Sequence, residues 1–407
     1  MQKEPARPRE NTVVDESPER LVEWVAARYG VSGDSIRVAR APYRICPLGA
    51  HIDHQLGTVT AMALDRAVQV AFVPAPSREV RLSSLDFPGE TCFDLGQIPD
   101  RQPGDWGNFA RGAARILQRD YRLQRGIWGV TAGRLDAGGL SSSAAISVAL
   151  LLAMEQANGV QVPPEKNVEL ALAIENDYLG LRIGILDQAA ILLSRRHELT
   201  WVDCRDRSHR CIAPPGGEWG FAILIASSGR KQALVGTDYN RRVDECAAAA
   251  ERLLRAAGRS APPVLRNVRA EEYARHRHRL RGAPARRAEH FFGEMRRVAA
   301  GVDAWRQGDW LQFGRLVSES GRSSIENYEC GCPPLVDLVQ VLNATPGVLG
   351  ARFSGAGFRG CCLALVDPAA AETAAEQAIR EYRRRQPELA DQAWCLICQS
   401  GPGAGLR

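Results

Sequence analysis

A mixed helix-and-strand protein of two domains is what this sequence predicts, and three observations carry that expectation. At 407 residues the chain is too long for one ordinary core. A polar connection rich in Pro and Gly, residues 205–217, follows a strand-like run at 199–203 and precedes a buried-strand pattern at 221–227. Helical periodicity and short β-rich runs occur on both sides of that connection. The expected division is a flexible, polar N-terminus over residues 1–16, an N-terminal domain over 17–205 and a C-terminal domain over 206–407.

Taken in order, Ser17-Pro18-Glu19 supplies an N-cap, a first-turn proline and a first-turn acid. Leu21, Val22, Trp24 and Val25 make the apolar face of the helix that follows, and Gly30 is placed to end it. Residues 58–64 and 67–72 read as two strands. Trp106-Gly-Asn-Phe opens a packed helix. The run 144–154 is apolar on every face, which suits a buried helix, and Pro163-Pro164 starts another. Beyond the connection, residues 291, 292 and 295 put Phe, Phe and Met on one face of an arginine-rich helix, and the helical pattern continues through 305–317. A strand begins near Ala351, with further strands at 361–366 and 393–399 and a helix at 369–386 between the last two.

Composition excludes several classes. The 52 basic and 47 acidic residues give a net charge of +5, a mild excess that suits an anionic small substrate better than nucleic acid. Residues 275–297 are rich in arginine, but aromatics for stacking bases are sparse, so a solvated helix face is expected there. The eleven cysteines form no repeated C-x-x-C framework, which points to reduced, mostly buried thiols rather than disulfides or zinc. No apolar stretch is long enough to span a bilayer, and the N-terminus lacks a signal-like core. A cytoplasmic protein is expected, with neither membrane nor nucleic acid as partner; monomer and dimer both remain open.

The most informative stretch is 135–154, LDAGGLSSSAAISVALLLAM. Gly138 and Gly139 let an anionic group approach backbone N–H donors closely. Leu140, Ser141, Ser142, Ser143 and Ala144 then lead into the apolar helix, whose first turn carries unpaired N–H groups. Such a helix start is a ready phosphate site, although serines that merely cap a buried helix would read the same way. The only lysines are Lys3, Lys166 and Lys231, and none lies in a Walker A motif.

The Gly-Gly-Leu-Ser-Ser-Ser-Ala-Ala run resembles the ATP-binding loop of the GHMP kinases, and three further segments strengthen the resemblance. Arg44 followed by Gly49-Ala-His-Ile-Asp53 resembles the sugar-binding signature of galactokinases. Glu175 and Asp187, in the segment IENDYLGLRIGILDQ, stand at the spacing of that family's Mg²⁺-ligand glutamate and catalytic aspartate. Residues 350–366, with Gly355, Gly357 and Gly360, resemble the glycine-rich loop that supports the ATP loop. The resemblance runs through essentially the whole chain after residue 30.

It implies two α+β domains with the active site in the cleft between them, and a kinase that uses ATP and Mg²⁺. Gly138 through Ala144 would hold the nucleotide, and Ser143 and Glu175 the metal. Asp187 would accept or orient the proton of the attacking hydroxyl, close to Arg44, which would stabilise charge. The sugar would meet Ala50, His51, Asp53, Gly184 and Tyr239. Two neighbouring histidines, His51 and His54, could suggest a metal; packing within the loop is the preferred reading.

One departure is informative. Galactokinases have glutamate where this chain has Ala50, facing the sugar's sixth carbon. Losing that charge would admit a carboxylate there. The chain thus looks similar to the uronic-acid branch of the family, and phosphorylation of D-galacturonate at its anomeric hydroxyl is expected. A kinase for galactose or glucuronate, and a sugar sensor that transfers nothing, are the alternatives. Arg182, Arg230 and backbone amides are candidate partners for the carboxylate, with none preferred. Arg359 stands where most galactokinases have glycine, and nothing in the sequence explains it.

Overall fold

The computed structural model describes residues 17–133, 138–217, 220–230, 239–355, 357 and 360–407. The N-terminal stretch expected to be flexible, together with Lys231 and Arg359, lies outside the described residues.

The first sheet contains β1 (Arg37–Ile45), β2 (Thr58–Pro74), β3 (Glu79–Ser84), β4 (Glu90–Asp94), β5 (Ile127–Ala132), β6 (Leu199–Asp203) and β7 (His209–Ile212). The second contains β8 (Ala222–Ser227), β9 (Val348–Phe353), β10 (Cys361–Val366) and β11 (Trp394–Cys398), in the antiparallel order β11-β8-β10-β9. A last strand, β12 (Gly405–Leu406), returns to pair with β1, so the first sheet runs β12-β1-β2-β5-β3-β4, with β6 on β2 and β7 on β6. Sheet membership therefore crosses the division expected at residues 205/206. Residues 209–212 still belong to the first sheet, and the C-terminal tail comes back to it.

Residues 58–64 and 67–72 are one strand, not two. Thr58–Ala61 pair with β6 and Gln69–Pro74 with β5, so the strand changes partner along its length. Asp65 and Arg66 interrupt the apolar pattern where neither of those ladders runs, which is why the sequence reads as two runs.

The helices are α1 (Pro18–Tyr29), α2 (Asn108–Leu117), α3 (Ser142–Asn158), α4 (Pro164–Ala173) and α5 (Leu186–Leu193) in the first half. The second half adds α6 (Tyr239–Ala256), α7 (Ala270–His276), α8 (Gly282–Gln307), α9 (Trp310–Glu326), α10 (Pro333–Ala344) and α11 (Ala371–Arg385). α1 begins as its sequence demands: the Ser17 side chain accepts from Arg20 N, and Gly30 closes the helix at φ +65°. α3 packs on β1 and β2 and against α2 and α5. Its apolar residues face all round because protein covers every side.

Most arginines of the 275–297 stretch are exposed as expected, among them Arg275, Arg277, Arg279, Arg281 and Arg296, but one departs. Arg287 is fully buried: its guanidinium bonds Glu245 and Glu329 and donates to the Asn327 carbonyl at 2.6 Å. It is an internal ion-pair hub that joins α6, α8 and the loop before α10, not part of a solvated face. All eleven cysteines are free thiols.

One buried acid makes α3 sensitive to pH. Glu155 accepts from Asn167 Nδ2 at 3.1 Å, while Glu155 Oε1 and Asn167 Oδ1 are buried with no hydrogen-bond partner. Burial pushes the Glu155 carboxyl up to about 7. The folded protein therefore holds this proton more tightly than the unfolded chain. Its stabilisation is complete below the unfolded value and is lost as pH rises through about 7, a difference of about 3 kcal/mol at the upper limit. Glu155→Gln supplies a permanent donor for Asn167 Oδ1. The variant should melt several degrees above wild type at pH 8 and close to it at pH 5, and equal melting-point differences at the two pH values would contradict this account.

Candidate active site

Four stretches of the first domain gather around Asp187, and one loop of the second braces the stretch before α3. β1 delivers Arg44 from near its C-terminal end, where the side chain is only 4% exposed. Asp187 sits in the first turn of α5, with its carboxylate 25% exposed. Arg44 Nε donates to Asp187 Oδ1 at 2.6 Å, and Arg44 Nη1 donates to the Gly139 carbonyl at 3.0 Å. The Ser141 hydroxyl donates to Asp187 Oδ2. The carboxylate is thus held on both oxygens, once by a buried cation and once by a hydroxyl from the loop before α3.

Ser141 does this in a left-handed conformation, φ +62°, rare for a residue with a Cβ. It leaves its side chain free of capping and turned toward Asp187. Non-glycine residues in this region concentrate where surrounding structure fixes a functional geometry.

The loop ahead of α3 is braced by the second domain. Gly139 has φ +98°, and a Cβ there would lie 2.6 Å from the Ser354 carbonyl oxygen. Ser354 Oγ donates to the Gly139 carbonyl at 2.8 Å, and Cys361 N donates to the Gly138 carbonyl at 3.0 Å. Gly360 is packed so closely that a Cβ would come within 1.8 Å of the Gly138 oxygen. The glycines of both loops are therefore needed for backbone-on-backbone contact. Leu140 is buried, while Ser142 and Ser143 are partly accessible at the start of α3.

Glu175 lies in a π-type turn, 174–178, that follows α4; Leu179 N reaches back to the Ile174 carbonyl at 3.0 Å. Such turns re-aim side chains and are frequent at functional sites. Glu175 is 1% exposed, and burial pushes its carboxyl up to about 7. The Ser143 side chain offsets part of that shift, and Gln188 Nε2 donates to Glu175 Oε2 at 2.5 Å. Gln188 Oε1 is buried without a partner. A carboxylate, a hydroxyl and a spare amide oxygen make a hard-oxygen cluster beside the loop. Among the described residues, no group of three His, Cys, Asp or Glu side chains is placed to hold a metal by itself.

The sugar-signature loop forms the other end. Asp53 opens a single 3₁₀ turn, and a Cβ on Gly184 would lie 2.5 Å from Asp53 Oδ2, so these two residues are in contact. Burial, with the neighbouring Asp187 charge, raises the Asp53 carboxyl to about 6. Ala50 is buried, and its carbonyl accepts from His290 Nε2 at 2.9 Å. Gly49 N donates to the buried Glu294 at 2.8 Å. His51 stacks on Tyr328 with ring centroids 4.5 Å apart, and Cys330 Sγ lies 3.5 Å from its Nε2. Burial keeps both His51 and His54 neutral, His54 down to about 4. The histidines are packed loop residues of the kind expected.

Arg44, Asp53, Gly184, Asp187, Ser141, Ser143 and Glu175 are therefore brought together. Tyr239 begins α6, but its side chain lies outside the described residues. Support of the phosphate loop by residues 350–366 is expected from the sequence, but the particular atoms of Ser354 and Cys361 that give it, the hydroxyl of Ser141 on Asp187, and the hold of His290 and Glu294 on the sugar loop are not legible as sequence motifs.

The chain matches the family described as GHMP kinases N terminal domain over residues 108–195, GHMP kinases C terminal over 302–384, and the galactokinase galactose-binding signature over 26–74. It is 48% identical to a galacturonokinase of Arabidopsis thaliana, over 94% of this chain and 96% of that one. It is 34% identical to a galactokinase of Chloroflexus aggregans, over 90% and 92% of the two chains. Its structure is similar to that of Lactococcus lactis galactokinase complexed with galactose, with TM-score 0.88 and 26% identity, covering 95% of this chain and 99% of that one. A mevalonate kinase structure at TM-score 0.62 and 15% identity shares the fold. With both halves of the kinase fold and the sugar signature present in one chain, this protein belongs to the GHMP kinase family, on its galactokinase-like side.

Proposed function

We propose that this chain transfers the γ-phosphoryl group of ATP to the anomeric hydroxyl of D-galacturonate, giving galacturonate 1-phosphate. The observation that carries the reading is the full-length likeness to a galacturonokinase, which exceeds the likeness to galactokinases. Ala50 gives it a physical reason, because a carboxylate on the sugar's sixth carbon would be repelled by glutamate at that position.

In this reading Gly138 through Ala144 cradle the nucleotide phosphates with backbone N–H groups and the start of α3. Asp53 accepts hydrogen bonds from sugar hydroxyls, with His51, Gly184 and Tyr239 around the ring. Asp187 takes or orients the proton of the anomeric hydroxyl, and Arg44 offsets charge that develops next to it. Ser141 keeps the Asp187 carboxylate from rotating. Mg²⁺ suits Glu175 and Ser143, since this ion prefers one or two hard oxygen ligands from protein and takes the rest from phosphates and water. When bound, it neutralises charge on the phosphoryl oxygens. The substrate is a small molecule, and the eleven free thiols support a reducing, cytoplasmic setting. Among the described residues, no helix is long and apolar enough to cross a membrane.

The test is ADP release with MgATP and D-galacturonate, D-glucuronate or D-galactose. Galacturonate should give the highest kcat/KM, by about tenfold or more. Galactose as the best substrate would overturn the uronate reading, and sugar binding without turnover would indicate a sensor.

A further inference from the structure

A uronate entering this site meets two carboxylates already there. Asp187 is paired with Arg44, whereas Asp53 is held in burial next to it. A third carboxylate needs a cation of its own. Most nearby arginines are committed to buried partners. Arg44 bonds Asp187 and the Gly139 carbonyl, and Arg352 bonds Ser320 and Ser324. Arg242 and Arg287 are tied to Glu245 and to residue 329. Arg230 follows Ser228, whose N and Oγ both donate to the Gly360 carbonyl, so it belongs to the end of the cleft where the second domain braces the phosphate loop.

Arg182 is different. It lies on the segment between Glu175 and Asp187, two residues before the Gly184 that touches Asp53. Asn176 fixes this segment from both directions, accepting from Ile183 N and donating to the Ile183 carbonyl, each at 3.1 Å. The Arg182 charge is felt by His54 in the sugar loop, where it adds to the effect of burial. Among the described residues its ion-pair partner is Asp244 on α6, at 3.2 Å, with the two side chains 52% and 65% exposed. An exposed pair of this kind contributes little to stability, so it can be exchanged at little cost.

We infer that Arg182 is the residue that receives the substrate's carboxylate, exchanging Asp244 for it when the sugar binds next to Asp53. This rests on the uronate reading above. Ala50 removes a repulsion, and Arg182 supplies the attraction; selectivity for an acid over a neutral sugar needs both.

The experiment compares initial rates with D-galacturonate and with its methyl ester, which keeps the shape and lacks the charge. Wild type should favour the acid. Arg182→Gln should lower kcat/KM for the acid by about tenfold to a hundredfold, chiefly through KM, and leave the ester within about threefold. Arg182→Lys should recover part of the loss. Asp244→Asn should lower KM for the acid severalfold, because it removes the competing carboxylate, and leave the ester alone; a merely structural role for the pair would not produce that gain. Equal losses on acid and ester in Arg182→Gln, a higher acid KM in Asp244→Asn, or a loss of acid preference in Arg230→Gln instead would overturn the assignment. Wild type that prefers galactose to galacturonate sinks the uronate reading itself, before any variant is compared.

Discussion

Asp187→Asn is expected to lower kcat by about 10²–10⁴ while leaving the affinity for MgATP within a few-fold of wild type. Asparagine keeps the shape of the side chain and an oxygen for Arg44 Nε, but it cannot carry a negative charge or take the proton of an attacking hydroxyl. Two donors converge on the native carboxylate, Arg44 at 2.6 Å and the Ser141 hydroxyl. The amide replaces one acceptor oxygen with an NH₂ group, so the Ser141 hydroxyl can no longer donate there and must accept instead. It also leaves the buried Arg44 charge without its counter-ion, a change that costs about 3–5 kcal/mol when nothing compensates. The melting temperature must therefore be read alongside the rate. Single-turnover phosphoryl transfer on protein shown to be folded separates the two effects. A fall of less than about tenfold would mean that Asp187 does no more than organise Arg44 and Ser141.

The loops that carry this chemistry are legible in sequence because chemistry limits them to a few residue types. Gly138-Gly139 before Ser141, Asp187 after Gly184, and Arg44 before Gly49 each stand out as short combinations. Their surroundings do not. Ser141 reads as a phosphate contact or a helix cap, and only the fold turns its hydroxyl to Asp187 across 46 residues of sequence. The hold on the sugar loop comes from His290 and Glu294, more than 200 residues away, in a helix whose arginines suggested a solvated face. Arg287 is the exception to that suggestion: periodicity marks apolar faces, whereas a buried cation paired with Glu245 and Glu329 looks like surface. Likewise β2 reads as two strands because sequence registers the polar pair Asp65-Arg66 but not the exchange of partner strands around it. Local rules recovered the elements; long-range pairing decided what the elements do for the site.

Ala50→Glu should reverse the preference between an acidic and a neutral sugar. Two like charges about 4 Å apart in a partly solvated site repel by about 1–4 kcal/mol. Galacturonate kcat/KM should fall between about tenfold and several hundredfold, and galactose, which carries a hydroxyl in place of the carboxylate, should gain relative to it. The backbone around residue 50 is held by groups that the substitution leaves in place: His290 on the Ala50 carbonyl and Glu294 on Gly49 N. Ala50 itself is buried, however, so a longer side chain must leave its packing and project into the cleft whether or not it is charged. Ala50→Gln provides the comparison, since it has the same length without the charge. If charge is the cause, Gln should cost galacturonate much less than Glu, and the gap between the two variants should shrink for the methyl ester. Equal losses in Gln and Glu would place the selectivity in the shape of the loop, and the repulsion argument for Ala50 would fail. The same comparison in an Arg182→Gln background separates the two halves of the proposed selectivity. With the attracting cation gone, the added glutamate should still repel the acid, because its charge acts on the substrate and not through Arg182.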